Sequence, residues 1–293
     1  MFFIFLFFVN FQIASASLVD EQKIFDSPIT LHSFKIALEE EKEKKQNFEI
    51  PEYPYNPYVD LEIWNQLKPY FLPFNHPTKH ILSEIFEAER VTLCRESFIA
   101  AGFKVNAPKN PGNLVVGKHP RLKEYLVKAY LDTQDAAEWD NFFKRVTGAL
   151  SIQQSIDTHG YQKQFDVPKK WIYPLPFNHL PPNDPQYFQK NFILIVEDAH
   201  LLNHYENAKS FKNKITSKTL NALHTIITEE GLIDSLFRGN IPFNKRGKIC
   251  FIDTEHHHLW PIKYEFLLRY LSPEMQSYWQ NLTGCGAPVE KVP

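Results

Sequence analysis

The sequence predicts an α+β fold, and three segments carry that prediction. Residues 192–196 (FILIV) form a continuous apolar run of strand length, the pattern of a buried strand. Residues 135–157 place Trp139, Phe142, Phe143, Val146, Ala149, Leu150 and Ile156 mainly at three- and four-residue steps, which predicts a long amphipathic helix. Residues 241–243 and 249–252 flank the turn sequence Lys245-Arg246-Gly247 and predict two short strands joined there.

The remaining elements follow in chain order. Residues 31–47 read as a helix that becomes strongly charged. Proline then recurs every three residues from Pro51 to Pro57, which excludes a helix and predicts an extended arm. Residues 61–71 and 81–94 have helical spacing. Residues 97–117 hold short apolar runs broken by Pro and Gly, read as strands and turns. Residues 124–131 (EYLVKAYL) are a compact strand candidate containing one lysine. Residues 167–185 are proline-dense and read as irregular. Residues 217–231 predict a helix with Leu220, Leu223, Ile226 and Ile227 on one face and Gly231 as its C-terminal cap. Residues 262–271 and 273–282 predict two closing helices.

Composition narrows the function classes. Ten Gly in 293 residues, with no G-x-G-x-x-G and no G-x-x-x-x-G-K-[ST], argue against Rossmann and P-loop nucleotide sites. A formal net charge of -2 supplies no excess of cations for a run of phosphates, so a dedicated nucleic-acid binder is not expected. Cys94, Cys250 and Cys285 are too far apart for a zinc site, and they leave room for at most one bridge. Residues 1–16 combine an apolar run with Ala14-Ser15-Ala16, the pattern of a cleavable signal peptide, although no Lys or Arg precedes the run. Export is therefore expected, and membrane contact only through an uncleaved leader. The alternatives are a cytoplasmic or membrane-anchored chain.

The chemistry concentrates near the C-terminus. Asn240 and Asp253 stand 13 residues apart at the two ends of the hairpin, in GNIPFNKRGKICFIDTE. Both are hard oxygen donors suited to magnesium or manganese. The G-N-I step, the strand entering I-D and this spacing resemble the metal-holding hairpin of the protein-kinase and aminoglycoside-phosphotransferase superfamily. The order of the other elements resembles it too. Val127-Lys128-Ala129-Tyr130 resembles the phosphate-binding lysine strand, residues 192–199 the strand and hinge that read adenine, and residues 217–231 the helix before the catalytic loop.

The resemblance implies a protein-kinase-like two-lobed fold, with a helical N-terminal extension and a C-terminal lobe reduced because only 40 residues follow Asp253. Its expected divisions are an arm over 17–60, a helical extension over 61–94, an N-lobe-like part over 95–199 and a C-lobe-like part over 200–293. Residues 31–94 are the expected source of missing C-lobe scaffold. The resemblance also implies ATP and Mg2+ as cofactors, with Lys128 on phosphate, Glu197 and Ala199 on adenine, and Asn240 and Asp253 on the metal. Asp234 takes the acceptor proton if the loop bulges by one residue, since the usual position holds Ser235. The helix residue expected opposite the lysine is Thr147, and Glu138 lies on the same helix one or more turns early. The implied activity is phosphoryl transfer to an unidentified protein or small molecule. The alternative is a pseudokinase acting as a binding module. His256-His257-His258 beside Asp253 and Glu255 raise a metal site, but adjacent strand residues point to opposite faces.

Overall fold

The structure, a computed structural model, describes residues 52–105 and 114–286. The expected signal peptide, the charged helix over 31–47 and Pro51 lie outside the described residues. The chain forms α1 (Leu61–Leu67), a 3-10 turn (Lys68–Tyr70), α2 (Lys79–Ala88), α3 (Arg95–Ala100), β1 (Lys104–Val105), β2 (Val115–Lys118) and β3 (Tyr125–Ala129). Then come α4 (Glu138–Thr158), β4 (Phe165–Asp166), β5 (Lys170–Pro174), β6 (Phe192–Glu197), α5 (His204–Asn213), α6 (Ser217–Glu229), β7 (Ile249–Cys250), α7 (Glu265–Leu268) and α8 (Pro273–Thr283). No helix among the described residues is long and apolar enough to cross a membrane.

Five strands make one antiparallel sheet in the order β1-β2-β3-β6-β5. β6 is an inner strand, between β3 and β5, and apolar on both faces, as its composition requires. Its neighbour β5 falls in the stretch read as irregular, and this corrects that reading. Pro168 and Pro174 bracket the strand, and Pro174 is accommodated because β5 lies at the sheet edge. That edge is partly capped, since the Leu72 N–H donates to the Ile172 carbonyl at 2.8 Å.

Both faces of the sheet are covered. Leu82, Ile85 and Phe86 of α2 and Phe98 of α3 pack with Val127, Ala129, Ile193 and Ile195. On the opposite face Trp64 and Leu67 of α1, with Phe142 and Val146 of α4, pack on Ile172, Phe192, Leu194 and Val196. Side chains between Trp64 and Phe98 thus cover the sheet on both faces. Within the described part of the arm, Tyr53 sets its ring edge-on against Phe71 and Tyr173. Two further readings are corrected. Residues 95–100 are helical, with Phe98 buried, and α5 is a helix the pattern did not announce. Its start is defined by a reciprocal cap between Asn203 and Glu206.

A third core gathers Ile152 and Ile156 from the end of α4, Phe165, the apolar face of α6, Ile249, Phe251 and Trp279. α4 therefore serves two cores: its first half packs on the sheet and its second half on the C-terminal elements. Gly231 (φ +58°) follows α6 as the sequence predicts, with the Leu232 N–H bonding back to the Ile227 carbonyl. The segment read as a helix over 262–271 is helical only at Glu265–Leu268.

Candidate functional site

A cavity of about 790 Å³ lies on the α4 side of the sheet, a volume in the range of small-molecule sites. Strand alternation decides what enters it. Val127 and Ala129 face the α2 side, so Lys128 faces the other way and lines the cavity. Glu197, Ala199 and Ile252 line the same cavity. Three of the sequence-predicted binding residues, Lys128, Glu197 and Ala199, are thereby brought to one chamber.

The segment after β6 is held by its own polar bonds. Asp198 donates its N–H to the Glu124 carbonyl at 2.8 Å, and its carboxylate accepts the Lys118 ammonium at 2.6 Å and the His200 N–H at 3.0 Å. His200 turns the chain at φ +49°, a left-handed conformation uncommon outside Gly. Glu197 pairs with Lys169 through backbone and carboxylate. Between them, the backbone N–H and C=O of Ala199 have no hydrogen-bond partner among the described residues. They are available to a ligand edge.

Of the two strands expected over 241–243 and 249–252, only β7 is a strand, and it pairs in parallel with β4; residues 240–252 fold back on themselves through an isolated Phe243–Ile249 bridge and main-chain bonds. Asn244 N–H donates to Lys248 O at 2.9 Å, Cys250 N–H to Pro242 O at 2.8 Å and Ile252 N–H to Asn240 O at 3.0 Å. This ladder sets Asn240 opposite Ile252, one residue before Asp253. The Asn240 amide also reaches back, donating to the Asp234 carbonyl at 3.1 Å. Asn240 and Asp234 are thus joined across the irregular loop between them. The Asp234 carboxylate meets His256 Nδ1 at 2.7 Å.

Asp253 sits among cations. Arg145 of α4 contacts it through Nη1 at 2.5 Å, and the other terminal nitrogen of Arg145 contacts Glu255 at 2.5 Å. Burial alone would raise the Asp253 carboxyl, but Arg145, then Lys128 and Lys170, overcome it and hold the group below the usual range. Lys128 is pushed down to about 8 by burial first and by Arg145 next, against the pull of Asp253 and Glu255. Lys170 is wholly buried, donates to Thr254 Oγ1 at 2.8 Å, and burial holds its ammonium well below its ordinary value. Thr254 Oγ1 in turn donates to the Arg145 carbonyl at 2.6 Å. These contacts tie α4, β5 and the end of the hairpin into one cluster.

The helix residue facing Asp253 and Lys128 is therefore the cation Arg145. Thr147 makes its cross-chain contact with His257 Nε2 at 3.3 Å. Glu138 is engaged elsewhere: it accepts the Asn191 N–H at 2.9 Å and lies 3.9 Å from Lys190 Nζ. Arg145 had a readable signal. It is a charged residue on the buried stripe 138-142-145-149-152-156. Lys170 had none, because the strand that carries it was not recognised.

No protein-family model matches the chain, and no curated protein sequence matches it either. The assignment of chemistry rests on the residues themselves. One Asp253 oxygen is not bonded to Arg145, and Asn240 Oδ1 is free to accept while its amide holds Asp234. Hard oxygens of this kind are the donor type that magnesium takes. The three adjacent His diverge: His256 goes to Asp234 and His257 to Thr147. No group of three or more His, Cys, Asp or Glu among the described residues is placed to hold a metal by itself.

Proposed function

We propose that this protein is a divergent kinase-like domain that binds ATP in the cavity described above and transfers a phosphoryl group to a protein or small-molecule acceptor. One observation carries the reading. Lys128, on the third strand of a sheet ordered β1-β2-β3-β6-β5, shares a cavity with the Glu197–Ala199 segment and with Ile252, the residue before Asp253. A phosphate-binding cation, a strand-end backbone for adenine and a metal-holding acid are the parts that phosphoryl transfer reuses.

In this reading Lys128 holds the nucleotide phosphates and the Ala199 backbone meets the adenine edge. Asn240 and Asp253 would hold magnesium, whose contribution when bound is to neutralise phosphate charge. Asp234 accepts the proton of the attacking hydroxyl. His256, bonded to its carboxylate, orients it, and the Asn240 amide fixes its main chain.

Thermal unfolding of the full-length chain with and without ATP and magnesium tests the binding. The wild type should be stabilised, and Lys128→Met should need at least tenfold more ATP for the same shift. A wild type whose unfolding temperature ignores ATP would remove the proposal altogether. Catalysis has its own test. Asp234→Asn should keep the ATP-induced shift and lose about 10²-fold or more of any phosphoryl transfer, the usual scale for a positioned general base. Undiminished turnover would sink the role given to Asp234.

A second reading, a nucleotide-binding module without catalysis, is favoured by the Arg145–Asp253 contact, which occupies an oxygen of the metal-holding acid. Stabilisation by ATP without any ATP consumption distinguishes it.

A further inference from the structure

The two carboxylates that follow the cavity-lining Ile252, outside the lining itself, carry their own counter-ion. Asp253 and Glu255 project from the chain just beyond the hairpin, beside the cavity-lining Ile252. Left unpaired, two carboxylates there would repel the phosphates of an approaching nucleotide, and a divalent cation would be needed to bring the two together. Arg145 removes that need. Its two terminal nitrogens each meet one carboxylate at 2.5 Å, the fork geometry that makes guanidinium a fixed, permanently charged partner.

The arrangement is built in rather than incidental. The Arg145 side chain is 8% exposed, and its main chain is clamped by Thr254 Oγ1, itself held by Lys170. Closer to the ligand space, the described cavity lining carries Lys104, Lys118, Lys128 and Lys245 against the carboxylates of Glu197 and Asp198 only. The chamber thus presents more cations than carboxylates before any ion is added.

We infer that Arg145 acts as a resident counter-cation, so that the cavity takes a nucleoside polyphosphate without a divalent metal. The inference rests on the nucleotide-binding reading and goes beyond it, because it separates binding of the nucleotide from any later use of magnesium. Arg145 is a positioning residue here: it acts through Asp253 and Glu255 and leaves Lys128 for the phosphates.

Calorimetric titration of the full-length chain with ATP in EDTA, and with ATP plus magnesium, tests it. The two dissociation constants should lie within tenfold of each other, and inorganic tripolyphosphate in EDTA should compete with ATP. A constant tenfold or more weaker in EDTA overturns the inference while leaving nucleotide binding intact. No heat of binding in either condition overturns both. Arg145→Met sharpens the assignment. It should lose at least tenfold in affinity in EDTA and recover part of that loss with magnesium. Equal affinity in both conditions for a folded Arg145→Met would overturn the role of Arg145. The wild-type comparison decides the matter even if that variant does not fold.

Discussion

Gly148→Ala should destabilise the protein and weaken its response to ATP, although alanine is the better helix former by about 0.5–1 kcal/mol. Gly148 lies on α4 where the helix meets the chain leaving the hairpin. A Cβ there would stand 2.0 Å from the Thr254 carbonyl oxygen and 3.1 Å from its carbon. Both are main-chain atoms, so the clash is not relieved by turning a side chain; the helix or the hairpin end must move. Overpacking of this kind costs about 1–3 kcal/mol. The displacement also bears directly on the cluster. Thr254 holds the Arg145 carbonyl and accepts from Lys170, and Arg145 holds Asp253. Chemical unfolding should show the lower stability, and titration with ATP a severalfold weaker affinity. A variant as stable as wild type with unchanged ATP affinity would mean that α4 and the hairpin are not packed in this way.

Asp132→Ala should cost about 3–5 kcal/mol, the scale for removing one partner of a buried ion pair. Asp132 is fully buried and accepts from Arg90 Nε at 2.9 Å and Arg90 Nη2 at 2.7 Å. It also accepts the Lys190 N–H at 2.8 Å and the Thr92 hydroxyl at 3.3 Å. One carboxylate thus joins the α2–α3 connection, the end of β3 and the approach to β6. Without it, the Arg90 guanidinium, 10% exposed, keeps only main-chain acceptors. Urea unfolding should show the loss. Because Asp132 is outside the cavity lining, the folded fraction should keep whatever ATP affinity the wild type shows under the proposed function. A loss under about 1 kcal/mol would place the pair among exposed ion pairs of little worth.

Asp132 and Gly148 were silent in the sequence for related reasons. An acid after a strand and a glycine in a helix have many ordinary explanations, and nothing local says what stands opposite. Lys128, by contrast, was readable. A lone lysine in EYLVKAYL must choose a face, and strand alternation limits it to two. Asn240 and Asp253 were singled out by the resemblance of their flanking G-N-I and I-D steps, and the structure sets Asn240 opposite Ile252, one residue before Asp253. β5 was not, since its prolines mimic a loop and only the pairing with β6 makes it a strand.

The sequence by itself determined the local pieces: β6 from its unbroken apolar run, α4 and α6 from their periodicity, the chain reversal over 240–252 from its turn, and Lys128, Asn240 and Asp253 as candidate groups. These follow from interactions a few residues long. The tertiary structure alone decided which charges meet. It put Arg145, not Glu138 or Thr147, against Asp253 and Lys128, and it brought Lys170 to Thr254 from a strand that the pattern concealed. The physical reason is that an ion pair forms between residues 108 positions apart only when packing of α4 on the sheet and on the hairpin has fixed both ends. No periodicity within either segment records the other.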